Sequence, residues 1–496
     1  MTILLGLDIG TSGAKALACD LTGTLLATAL SEYPLAQPQP LWSEQDPADW
    51  WSGAQTALRE VVAALGERAR DVAGLGLTGQ MHGSVFLDAA GQVIRPALLW
   101  NDQRTAAECA EITERVGAER LIALTGNPAL TGFQAPKILW LRNHEPEAYA
   151  RVAQVLLPKD YIRLLLTGAA ACDAADAAGT LLLDLAARDY SQTVLDALDI
   201  PRDWLPRVFE GPEVTGRLMP DVARALGLPD GLPVIAGGGD NAAAAVGTGV
   251  VTAGVVSSSI GTSGVVFAHS DTIALDPLGR LHTFCHSVPG RYHLMAVTLS
   301  AGGAFRWLRD LLGRAYSYDQ LTALAAEAPL GAEGLLFLPY LTGERTPHLD
   351  PYARGAFIGL TARHGVGHLA RAVMEGVVFA LADGVQIMRG LNVPIHQIRA
   401  TGGGGKSALW RAMQADIYGG EVVTLAAEEG PAYGAALLAG VGAGVFADVS
   451  DAVARGVRVT GVTTADPERA ARYTALHALF QAQYPALRST MHTLGA

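Results

Sequence analysis

The chain has 496 residues, of which 50% are apolar and 17% charged, and its formal net charge is −12 at pH 7. This length exceeds one ordinary hydrophobic core, so we expect two large domains, and the composition excludes a disordered chain. The acidic balance argues against a nucleic-acid partner, because nucleic-acid phosphates would be repelled by such a surface.

The beginning of the chain predicts a β-hairpin. The apolar segment ILLGLDIG leads into the turn GTSG at residues 10–13, and AKALACD follows as a second strand. This start lacks a basic leader, and no apolar run in the sequence is long enough to cross a bilayer. We therefore expect a cytoplasmic protein that has no membrane partner.

Strands and helices alternate through the rest of the first half. DWWSGAQTALREVVAALGERA predicts an amphipathic helix, VAGLGLTG a strand, and VFLDAAGQVIRPALLW a further strand pair. AAECAEITERVG and PKILWLRNHEPEAYARV predict helices. The strand LPVIAGG then leads to Asp240 and a short alanine-rich helix.

The second half repeats this alternation. GVVSSSIG, TSG and VVFAHS predict another hairpin, and two helices follow, AGGAFRWLRDLLGRA and HLARAVMEGVVFALADGVQIMRGLN. IRATGGGG predicts a strand with a glycine loop, and SALWRAMQADIYG a helix. The sequence thus predicts an α/β protein with mixed sheets and a break between Gly247 and Val256, giving domains 1–247 and 248–496.

Four cysteines are present, and they show no metal-type spacing. Each stands in apolar or helical surroundings, which favours free core thiols in a reducing compartment. They are Cys19, Cys109, Cys172 and Cys285.

The pentapeptide IGTSG occurs twice, beginning at Ile9 and at Ile260, at matching places in the two halves. Such a turn presents backbone N–H groups and hydroxyls in a small space, which suits phosphate oxygens. A single copy is typical of an ordinary turn, whereas recurrence favours one nucleoside triphosphate held between two domains. The residues expected to bind it are Gly10, Thr11, Ser12, Gly261 and Thr262.

Charged residues flank only the first copy. Asp8 precedes it and Lys15 follows it, whereas Ser259 and Val266 stand near the second copy. A carboxylate beside a phosphate needs an intervening cation, so Asp8 is predicted to be a Mg²⁺ partner, direct or through water. Lys15 is predicted to neutralise phosphate. A plain strand-end carboxylate and a solvated lysine remain open as alternatives.

The segment ATGGGGKSALW imitates a P-loop. A P-loop requires a glycine at the position that Ala400 occupies, so we reject that interpretation. The strand, glycine run and helix remain, and Gly403 and Gly404 are predicted to lie against the adenosine or the α-phosphate.

Several motifs together resemble the FGGY family of carbohydrate kinases, within the actin-like ATPase superfamily. They are DIGTSGAK, PLWSEQDPADWW, TGQMHG, LLWNDQRT, LLPKDYIRLLLTG, DAADAAGT, AGGGDNAAAAVG, SIGTSG, LPYLTGERTPH, GAFIGLTARHGVGHLARAVMEG and GGGGKSALWRAMQADI. The resemblance implies two actin-like, ribonuclease H-like domains with a nucleotide cleft between them. Departures are few: Gln134 stands where the family usually has Ser or Thr, and Gly405–Lys406 where relatives often have Ala and Arg.

The resemblance also implies roles at the site. By pattern alone Asp240 is a helix N-cap, whereas the family places its catalytic base at this position; a helix N-terminus would keep the carboxylate ionised for that task. Asn241 beside it would bind a sugar hydroxyl. Met81 and His82 would lie against the carbonyl end of a ketose, although a lone histidine is more often structural.

Further residues are second-rank candidates for the sugar. They are Trp100, Asn101 and Asp102, of which a tryptophan face suits sugar C–H groups. Glu344 and Arg345 are expected to form a structural ion pair rather than to bind a ligand.

The resemblance implies ATP- and Mg²⁺-dependent phosphorylation of D-xylulose. Ribulose, gluconate and fuculose remain alternatives. Glycerol is the least favoured, because the resemblance implies that relatives that use it carry an Arg–Glu pair where this chain has Met81–His82. An actin-like ATPase without a sugar acceptor is the alternative from another class. A homodimer is plausible from the same resemblance.

Overall fold

The computed structural model describes residues 2–427 and 429–495. Two mixed sheets of seven strands each organise the chain, and helices flank both. The first sheet has the spatial order Val214–Arg217, Pro233–Ile235, Val72–Gly79, Ile3–Ile9, Gly13–Asp20 and Leu25–Glu32, with Gly238–Gly239 also beside Val72–Gly79. The second has the order His282–Cys285, Tyr292–Thr298, Gly264–Ser270, Gly254–Ile260, Ile395–Thr401, Glu421–Leu425 and Val459–Thr463. The predicted fold class is confirmed.

Short strand pairs and helices complete the two lobes. The pairs are Glu44–Gln45 with Ala97–Leu98, Val85–Leu87 with Gln154–Leu156, Ala171–Asp173 with Arg207–Phe209, Leu183–Asp184 with Asp189–Tyr190, and Leu336–Leu338 with Ala356–Ile358. The first-half α-helices are Pro47–Leu65, Ala106–Val116, Ala118–Thr125, Gln134–His144, Pro146–Tyr149, Pro158–Thr167, Ala174–Ala178, Gln192–Leu198, Pro220–Leu226 and Asp240–Thr248. Those of the second half are Gly302–Leu311, Tyr318–Glu327, Val366–Gly390, Gly402–Lys406, Ala408–Tyr418, Pro431–Gly442, Val449–Gly456 and Pro467–Gly495. The 3₁₀ helices within residues 2–427 and 429–495 are Gly66–Asp71, Arg202–Trp204 and Ala332–Gly334.

Both predicted hairpins are present, and each occupies the same place in its sheet. In the first, Asp8 pairs with Lys15 across antiparallel strands, and the strand carrying Asp8 also runs parallel to Val72–Gly79. In the second, Ser259 pairs with Val265, and the parallel neighbour is Ile395–Thr401. The repeated IGTSG therefore marks two equivalent turns.

The lobes meet through a helix that approaches the first sheet very closely. The helix Pro431–Gly442 lies in sequence between two strands of the second sheet, Glu421–Leu425 and Val459–Thr463, but packs on the first sheet. A Cβ on Gly6 would lie 1.8 Å from the Ala432 carbonyl oxygen, and one on Gly434 would lie 1.8 Å from that of Ala243. Only glycine allows this approach, which brings the lobes together beneath the two turns. A domain boundary at 247/248 stays a prediction.

One local prediction was wrong in detail, because the glycine run after Ile395–Thr401 forms the short helix Gly402–Lys406 rather than a loop. The segment that begins at Val85 contains the two predicted strands, Val85–Leu87 and Ala97–Leu98. Leu87 bridges Val93 within the segment, and both strands also pair with partners outside it. All four cysteines are free, as expected. Among the described residues, none of the helices has the length and apolar character that crossing a membrane requires.

Candidate active site

A polar network beneath the first turn holds it in place. The Thr11 hydroxyl donates to Gln80 Oε1 at 3.1 Å and accepts from Trp100 Nε1 at 3.0 Å. Gln45 Nε2 donates to the Thr11 carbonyl at 2.7 Å. These bonds occupy the Thr11 side chain, whereas Ser12 is exposed. A phosphate at this turn would therefore meet backbone N–H groups and Ser12 rather than the Thr11 hydroxyl.

The second turn rests on the start of a helix. The Thr262 carbonyl accepts from the backbone N–H groups of Ala301 at 2.9 Å and Gly303 at 3.0 Å. A Cβ on Gly302 would lie 2.6 Å from the Gly261 carbonyl oxygen, so the helix that begins there needs glycine. Gly261 and Thr262 are exposed. The second turn is thus hydrogen-bonded to the start of this helix on one side and exposed to solvent on the other.

Two carboxylates, Asp8 and Asp240, lie close enough to influence each other. Burial and the Asp240 charge raise the pKa of Asp8 to about 7, against the opposite effect of Lys15. Asp8 Oδ1 is buried without a hydrogen-bond partner. Burial raises the pKa of Asp240 to about 6, against hydrogen bonds from Asn241. Two such groups at one place cost free energy unless a cation or a proton compensates them.

Asp240 is the first residue of the helix Asp240–Thr248, and Gly239 is its N-cap. The capping interpretation was therefore wrong by one position. The backbone N–H of Asn241 donates to Asp240 Oδ1 at 2.7 Å, and Asn241 Nδ2 donates to the same oxygen at 2.8 Å. The second oxygen of the carboxylate is left for another donor.

Lys15 forms an ion pair that sequence reasoning missed. Its Nζ lies 2.8 Å from Glu429 Oε2 and 3.4 Å from the Glu429 carbonyl oxygen. Both side chains are partly exposed. The pair links the first hairpin to the loop before the helix Pro431–Gly442, so it connects distant parts of the chain beside Asp8.

A cavity of about 360 Å³ lies beside the second turn. The predicted nucleotide residues Gly403 and Gly404 line it, and so do Gly302 and Lys406. Sequence reasoning missed its aromatic members, Phe305, Tyr318 and Trp410. Aromatic faces beside an exposed phosphate turn suit a purine ring, because stacking and backbone contacts are then available together.

The Met81–His82 loop is fixed from several directions. His82 takes a left-handed φ of 70°, and its Nδ1 donates to the Gly179 carbonyl at 2.6 Å. Lys137 Nζ donates to the His82 carbonyl at 3.1 Å. Burial lowers the pKa of His82 to about 3, so the imidazole is neutral. Met81 is buried and packs against Gly239, so closely that a Cβ on Gly239 would clash with the Met81 side chain.

A cavity of about 50 Å³ lies between this loop and the second lobe. His82, Trp100 and Phe133 line it from the first half of the chain, and His282 and Arg345 from the second. The predicted contacts His82 and Trp100 therefore meet at one small cavity, which residues from both halves enclose. His282 and Phe133 carried no sequence signal that separated them from ordinary core residues.

The other second-rank candidates lie differently. Asp102 is fully buried, and its carboxylate accepts from the Ser43 backbone N–H at 2.7 Å and from Arg104 Nη2 at 2.7 Å. Asp102 thus supports the loop, and this geometry gives no support to its predicted sugar contact. Asn101 Oδ1 is buried without a partner.

The expected Glu344–Arg345 ion pair is absent from the side-chain contacts of the described residues. Glu344 Oε1 instead accepts from the backbone N–H groups of Leu299 at 2.9 Å and of Arg345 at 2.8 Å. The Arg345 side chain lines the small cavity.

Two lobes with equivalent turns, paired carboxylates and a small enclosed cavity between them suit a two-domain sugar kinase. Models of the FGGY family of carbohydrate kinases match this chain, the N-terminal domain at residues 3–247 and the C-terminal domain at 256–443. The chain belongs to that family.

Similar proteins include several xylulose kinases. That of Escherichia coli strain K12 is 47% identical over 88% of this chain and 90% of its own length. That of Lactococcus lactis strain IL1403 is 40% identical over 100% of this chain and 99% of its own. The crystal structure of xylulose kinase from Rhodospirillum rubrum has a TM-score of 0.93 at 34% identity, covering 99% of this chain and 100% of that one.

Proposed function

We propose that this protein transfers the γ-phosphoryl group of ATP to the 5-hydroxyl of D-xylulose. The observation that carries the proposal is the position of Asp240, a carboxylate with a raised pKa beside Asp8 and next to the Met81–His82 loop. Relatives that match 88% and 100% of the chain are xylulose kinases, which favours this sugar over ribulose, gluconate or fuculose.

In this proposal the two turns bind the triphosphate from opposite lobes. The Ser12 hydroxyl and the backbone N–H groups of Thr11 and Thr262 would donate to phosphate oxygens, whereas the N–H groups of Gly10 and Gly261 already donate to carbonyls within their own turns. Lys15 would neutralise phosphate charge after leaving Glu429. The adenosine would occupy the 360 Å³ cavity lined by Gly403 and Gly404. Enclosure by both lobes excludes water, which limits unproductive hydrolysis of ATP.

Asp240 would accept the proton of the 5-hydroxyl as the phosphoryl group leaves ATP. The Asn241 donors occupy one carboxylate oxygen, so the other is available for the sugar. A pKa near 6 keeps Asp240 mostly ionised at pH 7 yet basic enough to take a proton. Such general base action contributes about 10²- to 10⁴-fold to the rate.

The residues present also fit a Mg²⁺ ion. Asp8 has a buried oxygen without a partner and a raised pKa, and both would be relieved by a cation. Asp8 would hold the ion directly or through water. When bound, Mg²⁺ would screen the charge of the phosphate oxygens.

The proposal is tested with a panel of sugars, ATP and Mg²⁺ in an assay coupled to ADP release. D-Xylulose should give the highest kcat/KM, ahead of ribulose, gluconate, fuculose and glycerol. A higher kcat/KM for another sugar would identify that sugar as the substrate instead of D-xylulose. ATPase activity that no sugar stimulates would favour an actin-like ATPase without a sugar acceptor. We expect the reaction in the cytoplasm, where ATP is available, and a homodimer is to be checked by light scattering.

A further inference from the structure

The Arg345 side chain makes no direct polar contact in the part of the chain that the structure describes. Its guanidinium has no hydrogen-bond or ion-pair partner among residues 2–427 and 429–495, and it lines the 50 Å³ cavity. The adjacent Glu344 accepts from two backbone N–H groups at Oε1, its Oε2 is buried without a hydrogen-bond partner, and its charge attracts the guanidinium without a direct contact. A guanidinium has five N–H donors, so a half-buried one needs acceptors from water or from a ligand.

The cavity wall offers no anion for this charge. Its lining residues are His82, Trp100, Leu130, Gly132, Phe133, His282, Phe284, Met295 and Arg345. Burial lowers the pKa of both His82 and His282 to about 3, assisted by the charges of Lys137 and Arg345 at His82 and of Arg345 at His282, so the imidazoles are neutral. Arg345 is therefore the one formally charged side chain in this wall.

The backbone around Arg345 is firmly held. The Thr346 backbone N–H donates to the Val297 carbonyl at 3.0 Å, and the Thr346 hydroxyl donates to the Arg280 carbonyl at 2.8 Å. The Glu344 backbone N–H donates to the Asp350 carbonyl at 2.9 Å. Arg345 thus projects from a rigid loop of the second lobe toward a cavity whose opposite wall carries His82.

The position of Arg345 also indicates which end of a sugar it meets. Arg345 lines the cavity together with His82 and His282, whereas Asp240 is not among its lining residues and follows Gly239, which packs against Met81. The phosphorylated hydroxyl must lie at Asp240, so the imidazoles and Arg345 face the other end. In a 2-ketose that end carries a carbonyl oxygen and a neighbouring hydroxyl, two acceptors that a planar guanidinium matches.

We propose that Arg345 binds the sugar from the second lobe, its guanidinium donating hydrogen bonds to O1 and O2 of the ketose and so determining specificity for that end. The inference rests on the proposed function, since it takes a ketose as the substrate. The sugar then bridges the lobes, with the Met81–His82 loop on one side and Arg345 on the other.

The test compares Arg345→Met and Arg345→Lys with the control Arg280→Met, whose guanidinium is bonded to Asp276 at 2.8 and 2.9 Å. Steady-state constants are measured for D-xylulose, 1-deoxy-D-xylulose and ATP. Arg345→Met should raise the KM for D-xylulose about 10- to 100-fold, as expected for a hydrogen bond to a charged group, and leave the KM for ATP within about twofold. Arg345→Lys should have a KM for D-xylulose between those of the wild type and Arg345→Met. Arg280→Met should match the wild type in both KM values.

The deoxy sugar gives a result that a merely structural role would not produce. The wild type should prefer D-xylulose over 1-deoxy-D-xylulose by about tenfold or more, and Arg345→Met should lose that preference. An unchanged KM for D-xylulose, or an unchanged preference, would overturn the proposal. If Arg345→Met does not fold, the same two quantities are compared between Arg345→Lys and the wild type. An unchanged KM for D-xylulose, or an unchanged preference for it over the deoxy sugar, would again overturn the proposal. A wild type that ignores D-xylulose would refute the proposed function instead, and the comparison would then use the sugar it phosphorylates.

Discussion

Replacing Asp240 with asparagine should abolish turnover while making the protein more stable at alkaline pH. The substitution keeps the shape of the side chain. In the wild type the Asn241 backbone N–H donates to Asp240 Oδ1 at 2.7 Å, and it can donate in the same way to the amide oxygen of the variant. What is lost is the proton acceptor and the buried negative charge. Without the base, kcat should fall by about 10²- to 10⁴-fold, while sugar binding persists.

The stability change follows from the pKa. Burial raises the pKa of Asp240 from 3.8 to about 6, so ionising it in the folded protein costs about 3 kcal/mol more than in the unfolded chain. Because the Asp240 carboxylate is partly open to the cleft, solvent screening reduces this cost of ionisation to about 1 to 2 kcal/mol. Because the folded pKa is the higher one, the cost is complete above pH 6 and disappears as the pH falls toward 3.8. Asp240→Asn should therefore stabilise at pH 8 and not at pH 4.

Two assays check this prediction. Thermal unfolding without nucleotide and with EDTA should show a higher melting temperature for Asp240→Asn at pH 8 and a smaller difference at pH 4. Wild-type kcat/KM should decline as the pH falls through about 6, because the base becomes protonated. Near-wild-type turnover in the variant, or a lower melting temperature at pH 8, would refute the assignment of Asp240 as a buried base.

The remaining predictions concern the metal, the ion pair and the helix contact. Asp8→Asn should raise the Mg²⁺ concentration for half-maximal activity about tenfold; an unchanged Mg²⁺ titration would contradict its role. Glu429→Gln should release Lys15 for phosphate and lower the KM for ATP by up to about fivefold, less at high salt, and a raised KM would count against this. Gly434→Ala, with a Cβ 1.8 Å from a backbone oxygen, should destabilise by at least about 2 kcal/mol, whereas Gly390→Ala, which meets nothing within 4 Å, should unfold like the wild type.

The hairpins and their equivalence were predictable because local chemistry specifies them. Apolar strand-forming segments on both sides of GTSG favour a tight turn, and the recurrence of IGTSG implied a repeat. The register that pairs Asp8 with Lys15 follows from the turn length. The placement of Met81–His82 beside a cavity came from the family resemblance, since a histidine in a loop has no pattern of its own.

Contacts between distant segments could not be predicted in this way. Lys15 and Glu429 are 414 residues apart, and no local pattern links them. The Gly434 approach to Ala243 likewise depends on how two lobes meet. The prediction of a Glu344–Arg345 ion pair was wrong for the opposite reason. Neighbouring charges suggest a pair, but the Glu344 carboxylate accepts from backbone N–H groups and the Arg345 side chain lines the small cavity.

A crystal structure with a non-hydrolysable ATP analogue, Mg²⁺ and D-xylulose tests the central claim most directly. The account predicts that the triphosphate contacts both turns, residues 10–13 and 261–264, and that the sugar 5-hydroxyl lies within hydrogen-bond distance of the Asp240 carboxylate. A triphosphate that leaves either turn facing solvent, or a 5-hydroxyl out of reach of Asp240, would contradict it.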